Sequence, residues 1–150
     1  MGEAFRRMVF NVTASNCDDH TKNFSFLLRQ GQGWELAPAY DVTHAYNPEG
    51  QWTYQHRMGV NGRFAEIRRE DTLALASRYA IEDADDIIEQ AGNAVDRWPE
   101  FARAAGVKDT DISRIQAYHR VDQIMFTPAL SLGSDSALSF DRFRLGWPHP

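Results

Sequence analysis

The sequence predicts a mainly α domain, a helical bundle with one small β-hairpin. Apolar residues recur at helical spacing near the N-terminus, at Phe5, Met8, Val9 and Val12, and again through most of the stretch beyond Arg69. Only one place sets two short apolar runs around a glycine turn: Phe24 to Leu28, then Gly31-Gln32-Gly33, then Trp34-Glu35-Leu36. A length of 150 residues, 43% of them hydrophobic, suffices for one domain with a real core.

Taken in order, Gly2 to Thr13 is expected as an amphipathic helix and the polar run Ser15 to Lys22 as a loop feeding the hairpin. Pro38 disfavours helix at Ala37, so Leu36 to Val42 should run extended or turning. Asn47-Pro48-Glu49-Gly50 and Asn61-Gly62 are turn signals. A helix should open at Glu70-Asp71 with Leu73, Ala76, Tyr79 and Ala80 inward. Asp83 should cap the next, which turns Ala84, Ile87, Ile88, Ala91 and Val95 inward and keeps Asp85 and Asp86 in the first turn, where the helix dipole favours anions. Pro99 fits the first turn of a third, holding Phe101, Ala104 and Ala105 and ended by Gly106. Thr110 should cap a fourth, with Ile112, Ile115, Tyr118, Val121 and Met125 along one side. From Thr127 the periodicity fails, so the expected organisation is a domain over 1–126 and an irregular tail over 127–150.

Composition narrows the function classes. With 16 basic and 21 acidic residues the formal charge is -5, which offers no electrostatic footprint for direct nucleic-acid binding. No apolar run is long enough for a membrane span or a signal-peptide core, and the expected location is the cytoplasm. The single cysteine, Cys17, excludes an intrachain disulfide and a cysteine-built zinc site. Its neighbouring carboxylates should raise its thiol pKa and argue against a nucleophile.

Polar chemistry concentrates between Asn16 and Asp41. Asp18 and Asn23 form Asp-x-x-x-x-Asn just before the first strand, and Asp41 follows the second. An antiparallel hairpin sets the start of one strand beside the end of the other, so Asn23 and Asp41 should approach each other. Phosphoryl transfer needs a carboxylate to orient the attacking hydroxyl, with an amide oxygen and a second carboxylate to hold Mg²⁺ against nucleotide phosphates. Asp18, Asn23 and Asp41 supply that set. Asp and Asn also serve as plain turn formers, and the pair alone fits that reading too. A metal-dependent hydrolase using Asp18, Asp19, His20 and Asp41 ranks behind, because it leaves Asn23 and the Leu36 to Asp41 segment unexplained.

The wider context is more specific. Asn16-Cys17-Asp18-Asp19-His20-Thr21-Lys22-Asn23-Phe24-Ser25, followed by Leu36-Ala37-Pro38-Ala39-Tyr40-Asp41, resembles the C-terminal lobe of HipA-type serine/threonine kinases, a family that includes toxins of bacterial toxin–antitoxin systems. Similarity continues through Met58 to Gly62, Arg69 to Leu73 and Arg97 to Ala102. The resemblance implies a protein-kinase-like C-terminal lobe whose hairpin carries the catalytic and metal-binding loops. It implies that Asp18 is the catalytic carboxylate, that Asn23 and Asp41 coordinate Mg²⁺ on ATP, and that Lys22 neutralises phosphate charge or stays a solvated loop lysine. It also implies a protein substrate, for which the family suggests an aminoacyl-tRNA synthetase, and an antitoxin as partner. Asp19 is expected to build the loop, His20 to fix it through ring hydrogen bonds to backbone, and Tyr40 to pack beneath Asp41. Trp34, Trp52 and Trp98 are expected in ordinary core or surface packing.

Such a kinase also needs a Gly-rich phosphate loop and a strand lysine. This sequence contains neither motif, and its only lysines are Lys22 and Lys108. The expectation is therefore a catalytic half that is inactive by itself, and the alternative is a non-catalytic module binding an antitoxin or a separate N-lobe. Apolar surface left by the other lobe would favour a homo-oligomer or such a partner.

Overall fold

The computed structural model describes residues 2–126; the tail expected over 127–150 lies outside the described residues. Helix α1 (Gly2–Thr13) buries Phe5, Met8, Val9 and Val12, the stripe that its spacing predicts. That stripe meets Ile87, Ile88 and Ala91 of α3 (Ala84–Asp96), and this contact is the centre of the core. Between them in sequence come the polar loop, a 3₁₀ turn at Thr21–Asn23, and a hairpin of β1 (Phe26–Leu28) and β2 (Trp34–Leu36). The strands are antiparallel, with Phe26 opposite Leu36 and Leu28 opposite Trp34. Gly31 takes φ +75° in the connecting turn, a conformation that glycine adopts without a Cβ penalty.

A long irregular stretch follows. Its two turns fall where expected: Gly50 N–H donates to the Asn47 carbonyl at 3.0 Å, and Asn61 and Gly62 sit at φ +50° and +80° between the bridged residues Val60 and Arg63. Helix α2 (Arg69–Arg78) is tied to that turn by Asp71, which accepts from Asn61 Nδ2 at 3.2 Å and from the Arg68 backbone N–H at 3.1 Å. The second bond satisfies a donor at the helix N-terminus.

The order of helices agrees with the sequence, but several details do not. Tyr79 and Ala80 are exposed because α2 has already ended, and Ala80 has left the helical region at φ +51°. Asp83 stands at the N-cap of α3 but makes no side-chain capping bond. In α4 (Trp98–Ala104) the buried residue is Ala102, while Phe101, Ala104 and Ala105 face outward. The fourth expected helix is two: α5 (Asp109–Gln116), with Lys108 rather than Thr110 at the N-cap, and α6 (Val121–Met125). The break is held from outside, because the Arg120 N–H donates to the Thr13 carbonyl at 2.8 Å at the end of α1. It lets α6 turn Ile124 into the α1–α3 core. Among the described residues no helix is long and apolar enough to cross a membrane.

Candidate functional site

The site grows out of the end of α1. Thr13 returns its hydroxyl to the Val9 carbonyl at 2.8 Å, Ser15 turns the chain at φ +54°, and the Asn16 N–H donates back to the Asn11 carbonyl at 2.8 Å. The loop that follows is pinned from inside by Asp19, which is only 2% exposed. Its Oδ1 accepts the backbone N–H groups of Arg57 at 2.7 Å and Met58 at 3.1 Å, and its Oδ2 lies 2.9 Å from His56 Nδ1. Asp19 is thus the loop builder expected of it. Since this carboxylate is spent on structure and no group of three metal-ligating His, Cys, Asp or Glu side chains exists among the described residues, the hydrolase reading loses its cluster.

The loop presents the other residues. Asn23 donates its side-chain N–H to the Asp18 backbone carbonyl at 2.9 Å, which closes the Asp-x-x-x-x-Asn loop and leaves the amide oxygen of Asn23 as an acceptor. Asp18 has a half-exposed carboxylate, 3.8 Å from His20 Nε2. His20 does not anchor the loop through backbone as expected: its Nδ1 is buried without a hydrogen-bond partner. Tyr40 does not sit beneath Asp41 but reaches across the hairpin base, where its hydroxyl donates to the Lys22 carbonyl at 2.7 Å. Lys22 itself is exposed.

Asn23 and Asp41 line one cavity of about 380 Å³, between α1 and the irregular segment that leaves the hairpin. Asp41 holds φ +54°, a left-handed conformation that costs a non-glycine residue energy and that functional sites often retain. Asp18 and Lys22 are not among the residues lining this cavity. Two lining residues lay outside the sequence-level set. Asn16, 2% exposed, donates through Nδ2 to Asn11 Oδ1 at 3.1 Å and to the Asp41 carbonyl at 3.4 Å, while its Oδ1 is buried with no partner. Arg7 is fixed by Glu3 at 2.8 Å and by the Ala37 carbonyl at 2.5 Å, and its Nη1 is likewise buried and unpartnered. Arg7 lies on the polar side of an amphipathic helix, and nothing in its spacing distinguishes it from a solvated arginine.

Cys17 is buried, and its thiol is pushed up to about 12, first by burial and then by the Asp19 charge, with Arg120 opposing. The direction is as expected, but burial outweighs the carboxylate. The thiol is not a nucleophile at neutral pH.

The family model described as HipA-like C-terminal domain matches residues 1–99, from α1 through the site and on to α3. The chain belongs to the HipA-like C-terminal domain family. This agrees with the resemblance carried by the Asp18 to Asn23 and Leu36 to Asp41 segments, and it places the chain in a toxin–antitoxin and kinase-related family context. No curated protein and no solved structure matches the chain. In this HipA-like domain the matched region ends at Pro99, so α5 and α6 lie beyond it.

Proposed function

We propose that this HipA-like domain is the catalytic lobe of a serine/threonine kinase that transfers the γ-phosphoryl group of ATP to a protein hydroxyl. The observation that carries the reading is the shared cavity of Asn23 and Asp41, two residues distant in sequence that the hairpin brings to one wall. The donor set suits Mg²⁺: a carboxylate at Asp41 and an amide oxygen at Asn23, whose side chain the Asp18 carbonyl orients. When bound, Mg²⁺ would neutralise charge developing on the phosphates.

The chain's own residues take the other roles. Asp18, exposed at the mouth of the loop, orients the acceptor hydroxyl and takes its proton. Asn23 and Asp41 would hold the metal, and Asn16 steadies Asp41 by donating to its backbone carbonyl. Lys22 adds positive charge near incoming phosphate. Residues 1–150 carry neither a phosphate loop nor a strand lysine, so in this reading they need an N-lobe for turnover and by themselves retain only metal-dependent nucleotide binding. By the family's example the substrate is an aminoacyl-tRNA synthetase and the regulating partner an antitoxin.

Calorimetry on the purified chain tests this. ATP should bind only with Mg²⁺ present, Asp41→Asn should weaken binding at least tenfold, and Asp18→Asn should leave it within about twofold, since Asp18 acts on the acceptor rather than the metal. ATP binding that ignores both Mg²⁺ and Asp41→Asn would sink the proposal. A second reading, a non-catalytic module that docks an antitoxin or N-lobe, draws on the exposed apolar face of the hairpin formed by Phe26, Leu28 and Trp34. It predicts no metal-dependent nucleotide binding at all.

A further inference from the structure

The hairpin ladder stops short of the two residues assigned to the metal. Its last backbone bond runs from the Ala37 N–H to the Ser25 carbonyl at 2.9 Å. Pro38 comes next and has no N–H with which to extend the ladder. Among the described residues no backbone hydrogen bond joins residues 38–41 to residues 20–24, yet Asn23 and Asp41 line the same cavity. Something other than the ladder must hold them at a fixed separation.

One side-chain bond spans the gap. The Tyr40 hydroxyl donates to the Lys22 carbonyl at 2.7 Å, so each end of this bond sits one residue before a residue assigned to the metal: Lys22 before Asn23, and Tyr40 before Asp41. The Lys22 end is rigid. It lies inside the 3₁₀ turn Thr21–Asn23, where the Asn23 N–H donates to the His20 carbonyl at 3.0 Å and the Phe24 N–H to the Thr21 carbonyl at 3.2 Å, and the Asn23 side chain is tied in turn to the Asp18 carbonyl. The Asp41 end is held more loosely. Arg7 anchors the chain at Ala37, four residues upstream, and Asn16 Nδ2 reaches the Asp41 carbonyl only at 3.4 Å, which is long for a hydrogen bond. Tyr40 is 42% exposed, so packing does little to fix its ring and the hydroxyl bond supplies the constraint.

We propose that Tyr40 is a positioning residue whose hydroxyl sets the separation of Asn23 and Asp41, and with it the choice of cation. The inference rests on the metal reading of those two residues and extends it to discrimination between ions. Mg²⁺ demands near-ideal octahedral geometry with oxygens at about 2.0–2.1 Å, whereas Ca²⁺ accepts irregular sets at about 2.3–2.6 Å. Two oxygens whose spacing is fixed by a bond one residue away suit the stricter ion. Two oxygens whose spacing drifts lose that advantage and suit the tolerant ion equally well.

Tyr40→Phe tests this, because it removes one oxygen atom and keeps the ring. The readout is calorimetric titration of ATP into the purified chain, with either Mg²⁺ or Ca²⁺ in excess. For the parent, Ca²⁺ should support ATP binding at least about tenfold more weakly than Mg²⁺. For Tyr40→Phe the two affinities should come within about twofold of each other, through a loss of at least about fivefold with Mg²⁺ and little change with Ca²⁺. The thermal midpoint should stay within a few degrees of the parent's, since the position is exposed. Tyr79→Phe, at another exposed tyrosine, should leave the parent's preference intact. Equal weakening with both cations would reduce Tyr40 to a general support of the fold and overturn the proposal. So would a variant that keeps the parent's Mg²⁺ affinity, or a parent that does not distinguish the cations; in either case Mg²⁺-dependent binding that still responds to Asp41→Asn leaves the kinase reading standing. A parent that binds no ATP with either metal overturns both together.

Discussion

The carboxylate of Asp19 accepts two backbone N–H groups and meets His56 Nδ1, while its neighbour Asp18 stays half in solvent. The two acids therefore carry opposite loads. Removing Asp19 strands the Arg57 and Met58 donors and an imidazole nitrogen in a part-buried setting, so Asp19→Ala should cost about 3 kcal/mol of unfolding free energy. Asp18→Ala, at an exposed position, should cost less than about 0.5 kcal/mol. Urea denaturation of the two variants measures the contrast, and equal losses would refute the division of labour. This division was half legible in the sequence. An Asp-Asp pair in a polar run signals a loop, and the family motif separates the two roles. His56 and the backbone of Arg57, however, come from a segment with no periodic pattern, so sequence reasoning had no means to pair them with Asp19. Asn16 and Arg7 escaped for a related reason: their significance lies in buried unpartnered atoms, which only the folded arrangement of α1 against the hairpin exit creates.

The helices were legible where a single apolar stripe meets a single neighbour. The α1 and α3 stripes are of this kind, and every residue expected inward on α3 is buried. The reading failed where helices are short and the partner decides the face. A continuous helical spacing from Ile112 to Met125 conceals the break that the Arg120 to Thr13 bond imposes, and Ala102 rather than Phe101 faces inward because α4 lies close against its neighbours. Close approach also fixes α6 on α3. Gly92 is buried, and a Cβ there would overlap Met125 Sδ and come within 2.6 Å of its Cγ. Gly92→Ala should therefore force the Met125 side chain into another rotamer and destabilise the fold by about 1 kcal/mol, despite the better helix propensity of alanine. The double variant Gly92→Ala with Met125→Ala should recover most of that loss in thermal denaturation. A single variant as stable as the parent would show that α6 does not hold this contact.

At the scale of the molecule, a clear mismatch between composition and burial among the described residues lies on the hairpin. Its register puts Phe26, Leu28, Trp34 and Leu36 on one face, and Phe26, Leu28 and Trp34 are 61%, 57% and 69% exposed. That face runs on into an apolar hollow of about 450 Å³, where Phe24, Phe26, Met58, Leu75, Tyr79 and Ile81 converge. A two-stranded hairpin without a buried face is marginal alone, and among the described residues this one is tied down at its base, by Ala37 N–H to the Ser25 carbonyl at 2.9 Å and by Arg7 and Tyr40. Burying three such side chains would return about 1.5–3 kcal/mol each, enough to drive association when concentration offsets the entropy of assembly. The purified chain should therefore self-associate through this face. In light scattering over a concentration series its mass should rise above the 17.1 kDa of one chain, and Phe26→Ser with Trp34→Ser should return it to that value. Both positions are solvent-exposed, so the double variant should keep the parent's thermal midpoint within a few degrees, which separates lost association from lost folding. A parent chain that stays at one-chain mass at the highest concentration reached would leave the face without the self-complementarity argued for it.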